Sequence, residues 1–255
     1  GVGIDGAPLA LVGTHRVECR FASDDEIAEG CILASWGDES LFVGQTSRRL
    51  LEEQTTDWGL ASLPLRDNWK TVREQNQTYA MQVAVEDFDR DGDLDIALST
   101  MHGSQRLLRC DGTRFVDATK TLGLPEQRSS RDRIALASWF DYDNDGFPDL
   151  LLGGSLYHNL EGRAFRDSTE RSGLAFDYPV MGCAVADYDC DGKLDLYVLN
   201  HSDASKGQQP GYLDDNVTGA PNQLWRNQGG GRFMDVTRLV GKLETGNRHS
   251  FAAVW

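Results

Sequence analysis

A chain of 255 residues, 40% hydrophobic and 25% charged, is long enough to bury a sizeable core. Its formal charge of −15 excludes nonspecific binding to nucleic acid or an anionic membrane. No run approaches the roughly 18 apolar residues of a membrane-spanning helix, and the 27 glycines recur beside Asp and Asn, which favours a β-rich chain with tight turns.

In chain order, residues 1–29 read as an N-terminal segment, a strand of a preceding or closing unit. The Gly-Val-Gly start carries no signal peptide, so the chain reads as processed or as a fragment. Residues 30–60 read as a worn repeat unit. GCILASWGDESLFVG (30–44) aligns with GCAVADYDCDGKLDLYV (182–198), with its acidic loop shortened away, so no metal is expected there. RRLLEEQTTDWGL supplies Leu51, Thr55 and Gly59 at the spacing of the later copies.

Three full units follow at 79–124, 133–174 and 180–242. Each contains an acidic loop followed by an apolar run: DFDRDGDLDIAL (87–98), DYDNDGFPDLLL (141–152) and DYDCDGKLDLYV (187–198). Apolar residues at consecutive positions predict a strand buried on both faces. Downstream, an aromatic, a Thr four residues on and a Gly four further recur as Phe115/Thr119/Gly123, Phe165/Thr169/Gly173 and Phe233/Thr237/Gly241. Asn-Gly and Asp-Gly type turns just before them predict hairpins. The third unit also contains a polar insertion, residues 201–223, read as a rim loop. SFAAVW (250–255) resembles the run before each loop, so 249–255 reads as the start of a further unit. Units of roughly 45–70 residues with about four strands each predict an all-β propeller, here a partial ring of about four blades and the start of a fifth.

Thirteen aspartates fall within three nine-residue windows, and three divalent ions would bring −15 to −9. In D-x-D-x-D-G-x-x-D, alternating carboxylates and a glycine-permitted bend suit Ca²⁺, a hard cation that takes 6–8 oxygens. The expected ligands of the first loop are Asp87, Asp89, Asp91, the Asp93 carbonyl and Asp95. Those of the second are Asp141, Asp143, Asp145, the Phe147 carbonyl and Asp149; those of the third are Asp187, Asp189, Asp191, the Lys193 carbonyl and Asp195. An EF-hand requires Glu at position 12, where Leu98, Leu152 and Val198 stand instead. Cys190, at the fourth position of its loop, reads as a bystander because a soft thiolate does not belong among hard oxygen ligands.

These residues resemble the FG-GAP/VCBS repeat family, the calcium-binding blades of integrin-α propellers and of bacterial secreted proteins related to acidic cartilage protein and UnbV. MGCAVADYDCDGKLDLYVLN (181–200) carries the FG-GAP likeness, and NQLWRNQGGGRFMDVTRLVG (222–241) the VCBS likeness. The resemblance spans 30–255 and implies a propeller, usually seven-bladed, outside the cytoplasm. It implies no single activity.

No HExxH, GxSxG, P-loop or GxGxxG between strand and helix appears. The expected function is therefore a calcium-stabilised binding, adhesion or scaffold module that contacts a protein or glycan through rim loops. The alternatives are the propeller of a secreted carbohydrate-active lyase or hydrolase, and an accessory subunit of a larger assembly. Of the histidines, His102 and His201 stand nearest the ends of post-loop strands and read as ordinary rim residues. Trp36 and Trp139 occupy repeat-locked positions that argue for packing, and N-x-S/T triplets occur at Asn76, Asn200 and Asn216.

Overall fold

The computed structural model describes residues 9–20, 32–45, 53–63, 81–100, 104–127, 134–201, 219–241 and 253. The chain forms two compact units that divide between Gln54 and Thr55. In the first, β1 (Leu9–Arg20) and β2 (Ile32–Gln45) pair antiparallel, with register shifts at Thr14/His15 and Glu18/Cys19. The sequence stretch 30–60 is thus shared out. Ile32–Gln45 belongs to this hairpin, while a 3-10 turn at Leu60–Ser62 belongs to the second unit.

The second unit holds three four-stranded antiparallel sheets, each strand hydrogen-bonded to the next in chain order. The first contains β3 (Met81–Glu86), β4 (Asp95–Thr100), β5 (Gln105–Cys110) and β6 (Phe115–Asp117). The second contains β7 (Ala137–Phe140), β8 (Asp149–Leu152), β9 (Ser155–Asn159) and β10 (Phe165–Asp167). The third contains β11 (Val180–Ala186), β12 (Asp195–Asn200), β13 (Gln223–Gly229) and β14 (Arg232–Asp235). The one α-helix among the described residues is α1 (Thr169–Ser172), a single turn.

The apolar post-loop runs are two-faced, as expected. Along β8, Leu150 and Leu152 pack with Phe88, Ala97 and Leu107 of the first sheet. Leu151, between them, packs with Val180, Leu196, Val198 and Trp225 of the third. Side chains alternate across a strand, so a run of three leucines can serve two cores at once. Each such fully buried leucine contributes about 2 kcal/mol. Trp139 stacks on Phe88 at 6.0 Å, which makes it a packing residue rather than a platform for ligand.

The recurrent Thr and Gly have separate tasks. Thr119, Thr169 and Thr237 accept, through Oγ1, the N–H of Leu107 (3.0 Å), Leu156 (3.0 Å) and Leu224 (2.8 Å). The residue two before each Thr, Asp117, Asp167 or Asp235, accepts that Thr's own N–H at 2.9–3.0 Å. The outermost strand is thereby tied to the third. The glycines make the step to the following sheet. Gly123, at φ +85, lies where an added Cβ would be 3.0 Å from the Phe165 carbonyl, and Gly59 at φ +77 is similarly placed against that of Phe115. The N–H of Phe165 donates to the Leu122 carbonyl and that of Phe115 to the Trp58 carbonyl.

Thr237→Val keeps the shape but strands the Leu224 N–H without its acceptor. A loss of about 1–3 kcal/mol in urea unfolding is expected, with a neutral result counting against this role.

Asn200 is fully buried, and its side-chain amide donates to the Pro221 carbonyl, so it is no glycan acceptor in the folded chain. Asn76 and Asn216 lie outside the described residues, as do His102, most of the 201–223 insertion and, Ala253 apart, the run 250–255.

Candidate metal centres

All three acidic loops connect the first two strands of their sheet, and one hydrogen-bond scheme builds each. The first aspartate spans the bend with both oxygens. Asp87 accepts the N–H groups of Asp91 (3.1 Å) and Gly92 (3.0 Å). Asp141 accepts those of Asp145 (3.1 Å) and Gly146 (2.8 Å), and Asp187 those of Asp191 (3.0 Å) and Gly192 (2.8 Å). The fifth-position carboxylate then accepts the N–H two residues on, Asp93 to Asp91, Phe147 to Asp145 and Lys193 to Asp191. The chain turns left-handed twice. Gly92, Gly146 and Gly192 lie at φ +97, +93 and +84, and the fourth residues Arg90, Asn144 and Cys190 at φ +61, +59 and +58. Three unrelated side chains accept that backbone cost because the carboxylate bonds over-determine the path.

The ninth aspartate anchors the loop in the core. Asp95, Asp149 and Asp195 are fully buried. Their Oδ2 atoms accept the N–H groups of Phe88 (3.3 Å), Tyr142 (3.1 Å) and Tyr188 (3.1 Å). Their Oδ1 atoms accept those of Cys110 (2.8 Å), Asn159 (2.7 Å) and Asn227 (2.7 Å) on the third strand.

The expected ligands come together as groups. Carboxylate oxygens of Asp87, Asp89 and Asp95, of Asp141, Asp143 and Asp145, and of Asp187, Asp189 and Asp195 lie within 4.8 Å of one another. A fourth group joins Asp143 and Asp149 to His158. Asp91 and Asp191 stand outside these groups and pair with Arg109 at 3.1 Å and Arg226 at 3.0 Å, arginines that also meet Asp89 and Asp189. Of the expected carbonyl donors, Asp93 rests its carboxylate beside Gly112, Phe147 lies under Arg90, and Lys193 places Nζ 2.8 Å from Asp191 Oδ2.

Burial raises the carboxyl pKa of Asp95 to about 6 and of Asp149 to about 8, partly offset by the two N–H donors that each one accepts. Burial also raises Asp89, Asp143 and Asp195. Asp191 is held low, first by the hydrogen bond from Lys193. Asp89 Oδ1 is buried without a hydrogen-bond partner, on a side chain only 9% exposed. Clustered oxygens, raised pKa values and an orphaned acceptor are what a divalent cation would relieve. The residues fit a hard metal ion.

A pH dependence follows for the metal-stripped chain. The folded pKa of Asp149 and Asp95 lies above the unfolded value of about 3.9, so the fold favours their protonated forms. Their contribution is complete below about pH 4 and is lost as pH rises through about 6 and then about 8. In EDTA, the urea midpoint is expected to be higher at pH 5 than at pH 8; the opposite order would contradict this assignment.

The loops are also linked to one another. Arg90 of the first lies over the Phe147 ring of the second, 5.0 Å from its centroid. Asn144 of the second donates to the Gly192 carbonyl of the third at 3.0 Å. From the following sheet, the Asn159 side-chain amide donates to the Phe88 carbonyl (2.9 Å), and that of Asn227 to Tyr142 (2.8 Å). The fourth position is therefore a connector in the first and second loops. Cys190 stands at the same position of the third loop and is an exposed free thiol.

Sequence reasoning passed over the linking roles of Asn159 and Asn227, and also Arg109, His158 and Arg226, which precede the residues that donate to the ninth aspartates, Cys110, Asn159 and Asn227. The signal was present in LLRCDG, LYHNLEG and LWRNQGG, once these are aligned on the turn rather than on the downstream Phe.

A family model described as an FG-GAP-like repeat matches residues 87–152 and 141–198. No curated protein matches the chain.

Proposed function

Because residues 87–152 and 141–198 are FG-GAP-like repeats, we propose that the chain is part of a calcium-stabilised β-propeller outside the cytoplasm. It serves there as a binding or scaffold module for a protein or glycan. Consecutive sheets, face to face in chain order, are the blades. One Ca²⁺ per acidic loop would be held by Asp87, Asp89, Asp91 and Asp95, by Asp141, Asp143, Asp145 and Asp149, and by Asp187, Asp189, Asp191 and Asp195. The carbonyls of Asp93, Phe147 and Lys193 are further donors. The ion supplies positive charge to buried carboxylates and no chemistry of its own.

One observation carries the structural role. The first and second loops are hydrogen-bonded to the next sheet through Asn159 and Asn227, so neutralising either loop also steadies its neighbour.

The test is to offer the calcium-loaded chain a panel of extracellular glycans and matrix proteins and to follow both binding and turnover. Saturable, calcium-dependent binding without turnover supports the reading. Polysaccharide cleavage, abolished by a rim His or Asp substitution that leaves the fold intact, would replace it with an enzyme.

A further inference from the structure

The three acidic loops are not equivalent, because the third strand aims an arginine into the first and third loops and a histidine into the second. In the first sheet, Arg109 Nε lies 2.7 Å from Asp89 Oδ2 and Nη2 3.1 Å from Asp91 Oδ2. In the third, Arg226 Nε lies 2.6 Å from Asp189 Oδ2 and Nη2 3.0 Å from Asp191 Oδ2. Each guanidinium thus forks across the third and fifth aspartates of its loop. In the second sheet the same strand position is His158, whose Nδ1 lies 3.4 Å from Asp143 Oδ2 and 3.1 Å from Asp149 Oδ1.

The difference is chemical. A guanidinium has no lone pair to give, is always charged, and pairs well with two carboxylates, so an ion entering those loops must displace it. An imidazole can remain and bind the ion through a ring nitrogen. Metal–ligand bonds of about 2.1–2.2 Å place neighbouring ligand atoms about 3 Å apart, which the His158 spacings already approach. Asp149 is fully buried and accepts two backbone N–H groups, so the carboxylate facing His158 is rigid. The third loop is the most compensated, because Lys193 joins Arg226 on Asp191.

We propose that Arg109 and Arg226 are tethered counter-cations that weaken divalent binding at the first and third loops, while His158 makes the second a mixed oxygen–nitrogen site. That second site fills first and takes ions that accept nitrogen beside oxygen ligands, such as Mn²⁺, as well as Ca²⁺. The inference rests on the metal-binding reading above and adds an order of filling to it.

The experiment is a Mn²⁺ titration of the full chain, followed by electron paramagnetic resonance, with pulsed detection of nitrogen coupling. One tight Mn²⁺ per chain is expected, showing directly coordinated ¹⁴N, with two sites at least tenfold weaker. Arg109→Gln and Arg226→Gln are each expected to tighten one weak site by tenfold or more. His158→Gln should abolish the nitrogen coupling and weaken the tight site. Three equal sites, or a tight site without nitrogen coupling in the unsubstituted chain, would overturn the inference while leaving metal binding intact. The same holds for arginine variants that bind as the parent does. No Mn²⁺ or Ca²⁺ bound at any loop would overturn both the inference and the reading beneath it.

Discussion

Gly162→Ala is expected to destabilise the chain by about 2–4 kcal/mol and to weaken divalent binding at the first loop in particular. Gly162 lies in the hairpin between β9 and β10 at φ +74, where a Cβ would stand 2.6 Å from both Cα and Cβ of Asp89. A non-glycine residue in left-handed backbone costs about 1 kcal/mol. The overlap adds about 1–3 kcal/mol more, because the atoms met are backbone and Cβ and cannot swing aside. The displaced residue is a proposed ligand and carries the orphaned Asp89 Oδ1. Gly230→Ala is the matched control, since Gly230, in the hairpin between β13 and β14, has φ +61 and nothing within 4 Å of an added Cβ. It should cost only the backbone portion, about 1 kcal/mol. Urea unfolding of both variants in calcium and in EDTA measures this. Equal losses would show that contact with Asp89 carries no weight.

The second large effect is on the whole unit. Removing divalent ions is expected to lower the melting temperature substantially and reversibly. A site held at about a thousand times its Kd stabilises the fold by roughly 4 kcal/mol, and sites that share a cooperative unit add. The losses should be felt across sheets, because Asn159 and Asn227 bind the loops of the preceding sheets. Calorimetry in EDTA, with calcium added back, decides it. A melting curve unchanged by chelation, together with no metal by elemental analysis, would refute the calcium claim.

Much of the fold could be read from local pattern. The run DLLL at 149–152 announced a strand between two cores, and Leu150, Leu151 and Leu152 occupy those cores alternately. The nine-residue acidic loops were legible because their carboxylates are close in sequence, so a short-range turn brings them together. The basic partners were less legible. Arg226 meets Asp189 across 37 positions, and only the pairing of β12 with β13 brings them side by side. His158 went unmarked because histidines were judged by their distance from the loop in sequence, whereas β9 folds back beside β8. The linking role of the fourth loop position was hidden for another reason. Arg90, Asn144 and Cys190 share a left-handed backbone angle but no chemistry, and Arg90 and Asn144 reach the next loop by different contacts.

The sequence alone determined the all-β character, the repeat and which aspartates share a loop, because strand alternation and loop geometry depend on residues within a few positions of one another. Tertiary structure alone decided which cation faces each loop, how Gly162 and Asp89 share a wall, and that one loop is wired to the next. Those relations join different strands and different sheets. Distances of that kind arise only when apolar faces pack, and no local pattern encodes them.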